Sequence, residues 1–219
     1  MSADAARLAL SEIVGEKWVE VEPFASVNLL SDWTNRFHGR PLAIVKPADT
    51  AEVSAVLKWA NDNNVPVVAQ SGNTSLVGGG TPTADGKAVL LSLQRMNKVE
   101  RIDAVNDTMV VDAGVILQKA QEAARAHGRL FPLSFASEGS ACIGGCLATN
   151  AGGTAVLRYG NKGLQPSGDR ARVALRPRAR HAFGQLRLSC PSQSWAAGAA
   201  HRQIFSQYLL NQDGVDHVR

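Results

Sequence analysis

The 219-residue chain is poor in cysteine, in aromatic residues and in long apolar runs, and each shortage excludes something. Its three cysteines, Cys142, Cys146 and Cys190, are odd in number and match no zinc-ligand spacing. A disulfide framework is therefore disfavoured, and a reducing compartment, read as cytoplasmic, is the simplest setting. No segment approaches the roughly 18 apolar residues that span a bilayer. The N-terminus lacks the basic-then-apolar pattern of a secretory signal. Two common nucleotide fingerprints are also missing. A Walker A loop needs Gly-x-x-x-x-Gly-Lys-Ser/Thr, but around Gly86-Lys87 position 81 is Thr and position 88 is Ala. No Gly-x-Gly-x-x-Gly leads into a helical pattern. Excess charge is scarce too. The net charge of +4 comes from residues 162–219, which hold nine Lys/Arg and three acids; the rest holds 14 basic and 16 acidic residues. A basic tail on a slightly acidic body is poor support for nucleic-acid binding.

What the chain does have is glycine, concentrated in two stretches. The first, residues 66–82, opens with the β-branched run Pro66-Val67-Val68-Ala69, which reads as a buried strand. It continues as Gln70-Ser71-Gly72-Asn73-Thr74-Ser75-Leu76-Val77-Gly78-Gly79-Gly80. Glycine lets backbone N–H groups turn inward and approach a bulky anion, so such a loop can cradle a pyrophosphate without a cationic side chain. An ordinary glycine-rich turn fits this stretch equally well when it is taken alone. The second stretch runs from Gly139 to Gly153 and brackets a short helical run of small residues. Its first turn could offer N–H groups to a phosphate or a ring carbonyl. Cys142 and Cys146 share a face of that helix, and burial as small hydrophobes is the expected role for both.

Around these stretches the chain alternates helix and strand. Residues 3–15 predict a helix with Leu8, Leu10, Ile13 and Val14 on one side, ended by Gly15. Residues 18–39, with Trp18, Phe24, Trp33 and Phe37, read as an irregular lead-in packed on the core. Residues 42–45 form a strand stopped by Pro47, and Asp49 or Thr50 caps the next helix, with apolar Val53, Val56, Leu57 and Ala60. With the strand at 65–69 this suggests a parallel βαβ unit, the first glycine loop lying at the carboxyl end of its second strand, where α/β sheets bind ligands. Strands are expected at 88–93, 99–102 and 108–112, the last two joined at Asn106-Asp107, followed by a helix over 115–127 closed by Gly128. His127 reads as a surface capping histidine rather than a catalytic one. From Lys162 onward strand alternation is lost; a disordered tail with one weak helix near 200–210 is the bland reading, and a basic arm for an acidic partner the functional one.

Residues 31–161 resemble the FAD-binding domain of the vanillyl-alcohol oxidase / p-cresol methylhydroxylase superfamily. The similarity is carried by Ser31-Asp32-Trp33-Thr34-Asn35-Arg36-Phe37, Val67–Gly80, Arg95-Met96-Asn97-Lys98-Val99, Phe131-Pro132-Leu133 and Gly139–Tyr159. Within it, Gly72-Asn73-Thr74, Ile143-Gly144-Gly145, Ala148–Gly153 and Leu157–Gly160 look most like the D-2-hydroxyglutarate and D-lactate dehydrogenases, the glycolate-oxidase-subunit-like flavoproteins. The resemblance implies an α+β, two-subdomain PCMH-type FAD-binding fold, incomplete at its C-terminal end. It divides the chain into an N-terminal helix and lead-in (1–36), a partial FAD-binding domain (37–161) and an atypical basic tail (162–219). It also implies FAD as cofactor, wrapped at its pyrophosphate by Gly72, Asn73, Thr74, Ser75, Leu76, Gly78 and Gly79. Leu133, Ser134, Gly139 and Ser140 would line the ribityl and diphosphate region, and Ile143, Gly144, Gly145, Thr149, Asn150, Gly152 and Gly153 would lie along the flavin and its diphosphate.

The departures are informative. Ser71 and Ser75 stand where relatives usually have Gly, which a loop tolerates only if neither position needs a positive φ. Cys146 stands where Asn is usual. Thr74 stands near a His that binds flavin covalently in some members, so FAD here is expected to be noncovalent. The parent reaction implied is oxidation of a D-2-hydroxyacid of the 2-hydroxyglutarate, lactate or glycolate class by hydride transfer to flavin. The family's metal-binding and acid–base histidines lie in a region not recognisable here, so no catalytic and no metal-binding residue transfers. The partner expected is a small-molecule substrate in the full-length relative, with no nucleic acid and no membrane span. The alternatives are a same-fold NADPH-dependent enolpyruvyl-sugar reductase, or a non-catalytic binding or assembly protein using the tail. Loss of pattern at one residue suggests that 162–219 is a frameshifted translation. Sequencing the gene tests this: an interrupted frame is expected, and an intact frame shared by independent isolates would remove the idea.

Overall fold

The computed structural model describes residues 2–159, with side chains through Leu157, and the backbone of 170–174 and 176–177. The described residues form two compact units, one ending at Arg95 and the other beginning at Met96.

The first unit opens with helix α1 (Ala3–Val14), whose N-cap Ser2 accepts a hydrogen bond from the Ala5 N–H and whose end is turned by Gly15 at φ +88°. Ala6, Leu10 and Val14, spaced four apart, face the core; Leu8, expected on that face, is 72% exposed. A stripe of i, i+4 residues is narrower than the apolar content suggests, and Leu8 falls outside it. Strands β1 (Val19–Glu20), β2 (Ala43–Val45), β3 (Val67–Gln70) and β4 (Val89–Ser92) form one sheet in the order β1-β2-β4-β3. β2, β4 and β3 are mutually parallel and β1 is antiparallel to β2. The crossover helix α2 (Thr50–Asp62) joins β2 to β3. The βαβ unit is parallel as expected, with β4 inserted between its two strands.

Helix α2 starts where Asp49 accepts from the Glu52 N–H at 2.9 Å while the Glu52 carboxylate accepts from the Ala48 N–H at 2.6 Å. The first bond satisfies a donor the first turn leaves unpaired, and the second ties the residue before the cap back to that turn. Val56, Leu57 and Ala60 are its buried face. Strands β2 and β4 are fully buried, as expected for parallel strands covered on both faces. In the lead-in, Trp18 and Phe24 pack against the core, but Trp33 is 73% exposed and does not. Arg95 ties the end of this unit to its sheet: its guanidinium donates to the Lys46 carbonyl at 2.6 Å and lies 3.8 Å above the Trp18 ring.

The second unit begins with the hairpin β5 (Val99–Asp103) and β6 (Thr108–Asp112), turned at Asp107, which adopts φ +52°. Helix α3 (Leu117–Ala126) starts two residues later than its pattern predicts, and Gly128 at φ +66° follows it. His127 is exposed and its Nδ1 lies 3.0 Å from the Ala123 carbonyl, the capping role expected. After β7 (Arg129–Leu130) come two short helices, α4 (Ile143–Ala148) and α5 (Val156–Tyr159). Met109, Val111, Leu117, Ala120, Phe131, Leu133 and Ile143 are among the residues of this unit's core. The basic run after 170, which shows no clean strand pattern, is nevertheless extended: β8 (Arg170–Ala174) pairs antiparallel with β6 and β9 (Arg176–Pro177) with β7. Backbone pairing on the free edges of β6 and β7 supplies what side-chain alternation does not. The weak helix expected near 200–210 lies outside the described residues.

Leu90 is fully buried on the central strand β4. Leu90→Ala is expected to cost about 2–5 kcal/mol, measured as a fall in the midpoint of chemical unfolding.

Candidate functional site

The first glycine loop leaves the carboxyl end of β3. Among the described residues, no acceptor lies against the backbone N–H groups of Gly72, Asn73, Thr74, Ser75 and Leu76, nor those of Gly78 and Gly79. Val77 N–H is spent on the Ser75 hydroxyl and Thr81 N–H on the Gly78 carbonyl. Among the described residues, seven of the eight backbone donors of residues 72–79 thus stay available in a loop that is otherwise held in place. Asn73 takes the left-handed conformation at φ +49° and Gly78 at φ +70°; Ser71 and Ser75 do not, so serine is tolerated at both. A Cβ on Gly79 would meet nothing within 4 Å, leaving open space beside the backbone. Leu76 and Val77 form the exposed crest of the loop.

Side chains, not ladder bonds, hold this shape. Gln70 Nε2 donates to the Leu29 carbonyl at 3.0 Å and to the Gly80 carbonyl at 2.8 Å, closing the neck of the loop. Asn73 Nδ2 donates to the Asn28 carbonyl at 3.1 Å and to the Ser31 carbonyl at 2.8 Å. Apart from Gly80, the anchoring carbonyls lie in the lead-in, whose part in the site sequence reasoning missed. The signal available was Asp32 followed two residues later by Thr34, the pattern of a side chain that folds its own backbone into a turn. The amide oxygens of Gln70 and Asn73 are buried without a partner among the described residues. Such oxygens ask for a donor, from an ordered water or a ligand hydroxyl.

The second stretch uses its glycines differently. Ile143 N–H donates to the Val115 carbonyl at 2.9 Å and Gly144 N–H to the Ala113 carbonyl at 2.8 Å. The expectation that the first turn of α4 presents these donors to a ligand is therefore corrected: the turn between β6 and α3 takes them. Gly145 N–H has no acceptor among the described residues. Gly144 is needed for close approach, since a Cβ there would stand 2.8 Å from the Ala113 Cβ and 2.9 Å from its carbonyl oxygen. Leu133 and Ile143 sit in the core, so their side chains serve packing. Ser134 and the 153–154 segment are brought together. The Ser134 carbonyl accepts from the Thr154 N–H at 2.8 Å, and Gly153, at φ +64°, lets the chain pass where a Cβ would be 2.4 Å from that oxygen. Gly139, Ser140 and Thr149 are exposed, while Asn150, at φ +49°, keeps its amide oxygen buried and unpartnered among the described residues. A cavity of about 340 Å³ opens beside this stretch, lined by Gln121, Arg125, Phe131, Ser134 and Glu138 among others. Gln121 and Arg125, one turn apart on α3, were not anticipated as lining residues.

Cys142 and Cys146 are buried free thiols, as expected, and no group of three or more metal-ligating side chains occurs among the described residues. Burial, with a smaller contribution from Cys142, pushes the Cys146 thiol up to about 12. A thiol reagent at mildly alkaline pH should leave Cys146 unmodified in the native chain and react only after unfolding, as mapped by mass spectrometry. Gly144→Ala should destabilise the second unit by about 1–3 kcal/mol, read as a lower unfolding midpoint.

Comparison with known proteins identifies a family. A family model described as FAD binding domain covers residues 41–163. D-2-hydroxyglutarate dehydrogenase of Xanthomonas citri pv. viticola is 44% identical over 154 residues, 70% of this chain and 32% of that protein. D-lactate dehydrogenase of Archaeoglobus fulgidus is 44% identical over 117 residues, 53% of this chain and 26% of that protein. The chain thus spans about a quarter to a third of the length of these curated relatives. Among solved structures, an alkyldihydroxyacetonephosphate synthase superposes with TM-score 0.69 at 17% identity, covering 81% of this chain and 44% of that one, a likeness of fold. Family match, relatives and fold agree with an α+β, PCMH-type architecture of two subdomains. The chain belongs to the FAD binding domain family, and FAD is the cofactor of that family.

Proposed function

We propose that this chain is the FAD-holding part of a D-2-hydroxyacid dehydrogenase acting on a substrate of the 2-hydroxyglutarate, lactate or glycolate class. The observation that carries the proposal is the run of backbone donors from Gly72 to Leu76 with Gly78 and Gly79 that have no acceptor among the described residues. A diphosphate offers the acceptors that such a run lacks, and it needs no cationic side chain to be held there. The remaining contacts are proposed for Leu133, Ser134, Gly139, Ser140, Gly145, Thr149, Asn150, Gly152 and Gly153. Ile143 and Gly144 would contribute by placing this backbone, since their own amides are already bonded. The buried oxygens of Asn73 and Asn150 accept hydrogen bonds, so they suit hydroxyl or N–H groups of the cofactor rather than its phosphates.

Bound FAD supplies the two-electron acceptor for oxidation of the substrate carbinol. The chain's own work is to bind and orient it. Thr74 has no nucleophilic nitrogen or sulfur, so attachment would be noncovalent. No residue of this chain is assigned an acid–base role. Residues 162–219 are proposed to stand outside the FAD-binding region. A reducing compartment, the cytoplasm, suits the buried free thiols of Cys142 and Cys146. No observation favours the reductase or assembly readings.

Titrating the full chain with FAD tests the proposal. Saturable quenching of flavin fluorescence at one FAD per chain is expected, with release of free FAD on denaturation. Absence of saturable binding by folded protein would contradict it. D-2-hydroxyglutarate and D-lactate added to the loaded chain should leave the flavin absorbance unchanged, because no acid–base group is placed.

A further inference from the structure

We infer that Asp32 is a positioning residue for the cofactor loop: it ties residues 31–37 into a knot that holds the 72–79 backbone open through Asn73 and Phe37. This rests on the proposal above that the loop receives FAD.

Asp32 is 3% exposed, yet no cation pairs with it among the described residues. Its carboxylate is satisfied by its own turn. One oxygen accepts from the Arg36 and Phe37 N–H groups, each at 2.9 Å. The other accepts from the Thr34 N–H at 3.2 Å and from the Thr34 hydroxyl. The backbone adds two more bonds, Asp32 N–H to the Phe37 carbonyl at 3.1 Å and Asn35 N–H to the Asp32 carbonyl at 3.0 Å. Burial works to raise the Asp32 pKa, but these hydrogen bonds outweigh it and hold the carboxyl down at about 2. The stabilisation is therefore complete above the ordinary value of 3.8 and is lost as pH falls through about 2.

Both ends of the knot touch the glycine loop. Ser31, beside Asp32, presents the carbonyl that accepts from Asn73 Nδ2 at 2.8 Å. Phe37, at the other end, lays its ring against Gly78, where a Cβ would stand 2.6 Å from the ring. Next to it, Gly39 passes so close to Pro82 that a Cβ would be 2.5 Å from the Pro82 carbonyl oxygen. A loop with seven donors unpaired among the described residues has no ladder of its own to fix it. Its conformation is set by these lateral contacts, and they depend on the knot. Side chains with internal acceptors confer order without consuming the N–H groups a ligand needs, which lowers the ordering cost of binding.

The test uses the full chain and two readouts, one of them free of FAD. Chymotrypsin cleavage within residues 71–80, where Leu76 and Val77 are exposed, reports loop order under conditions where far-UV circular dichroism shows the chain folded. Asp32→Ala is expected to speed cleavage there selectively, relative to other sites, and to weaken FAD binding roughly tenfold. Asp32→Asn, which keeps one acceptor oxygen, should fall between Ala and wild type. If Asp32→Ala does not fold, Thr34→Val, which removes a single hydroxyl donor, is read in the same two assays with the same direction expected. Unchanged loop cleavage and unchanged FAD affinity in the folded variants would overturn the inference. So would faster cleavage spread evenly over the chain, which would mark Asp32 as a general stabiliser. If the wild type binds no FAD while cleavage still responds selectively, the functional proposal fails and the positioning role stands.

Discussion

A loop that must stay ordered while leaving its backbone donors unused is the constraint on which the first unit depends. Backbone N–H groups removed from water without a partner cost about 1–3 kcal/mol each. The 72–79 segment avoids much of that cost by being half-exposed rather than buried. Being half-exposed, it cannot rely on a hydrophobic core for its shape. Gln70 closes its neck, Asn73 anchors its first half, and Phe37 packs on Gly78. The parallel strands beneath, fully buried on β2 and β4, supply the rigid edge from which the loop departs.

The two glycine-rich stretches look alike in composition but answer to different physics. Only one glycine of the first loop, Gly78, adopts a positive φ, and Gly79 faces open space. In the second stretch Gly144 and Gly153 are required because the backbone of another segment lies where a Cβ would be. The first set leaves room and donors for a ligand. The second set consumes room and donors to bring α4 against the β6–α3 turn and residue 153 against Ser134. The cofactor contacts proposed for the second stretch accordingly rest on fewer free donors than those of the first.

Much of the scaffold was legible in the chain because local signals agree with tertiary demands. Gly15 and Gly128 end their helices, Asp49 caps α2, and the apolar runs at 43–45 and 89–92 are the buried strands. The misses have physical causes. Leu8 and Leu10 lie two residues apart on a helix and cannot share one narrow face. The insertion of β4 between β2 and β3 is a matter of topology that no local pattern encodes. The pairing of β8 with β6 comes from an open strand edge, not from the alternation of 170–174. At the site, the glycine loop was visible, but its anchors in residues 28–31 were not. They act through carbonyl oxygens, which every residue possesses and no composition reveals.

Amide hydrogen exchange of the 72–79 segment with and without FAD reads whether its backbone holds the cofactor. Near-intrinsic exchange is expected at Gly72 through Leu76 in the free chain, with marked slowing when FAD is bound. FAD binding that leaves those amides exchanging at the same rate would contradict that role for the backbone.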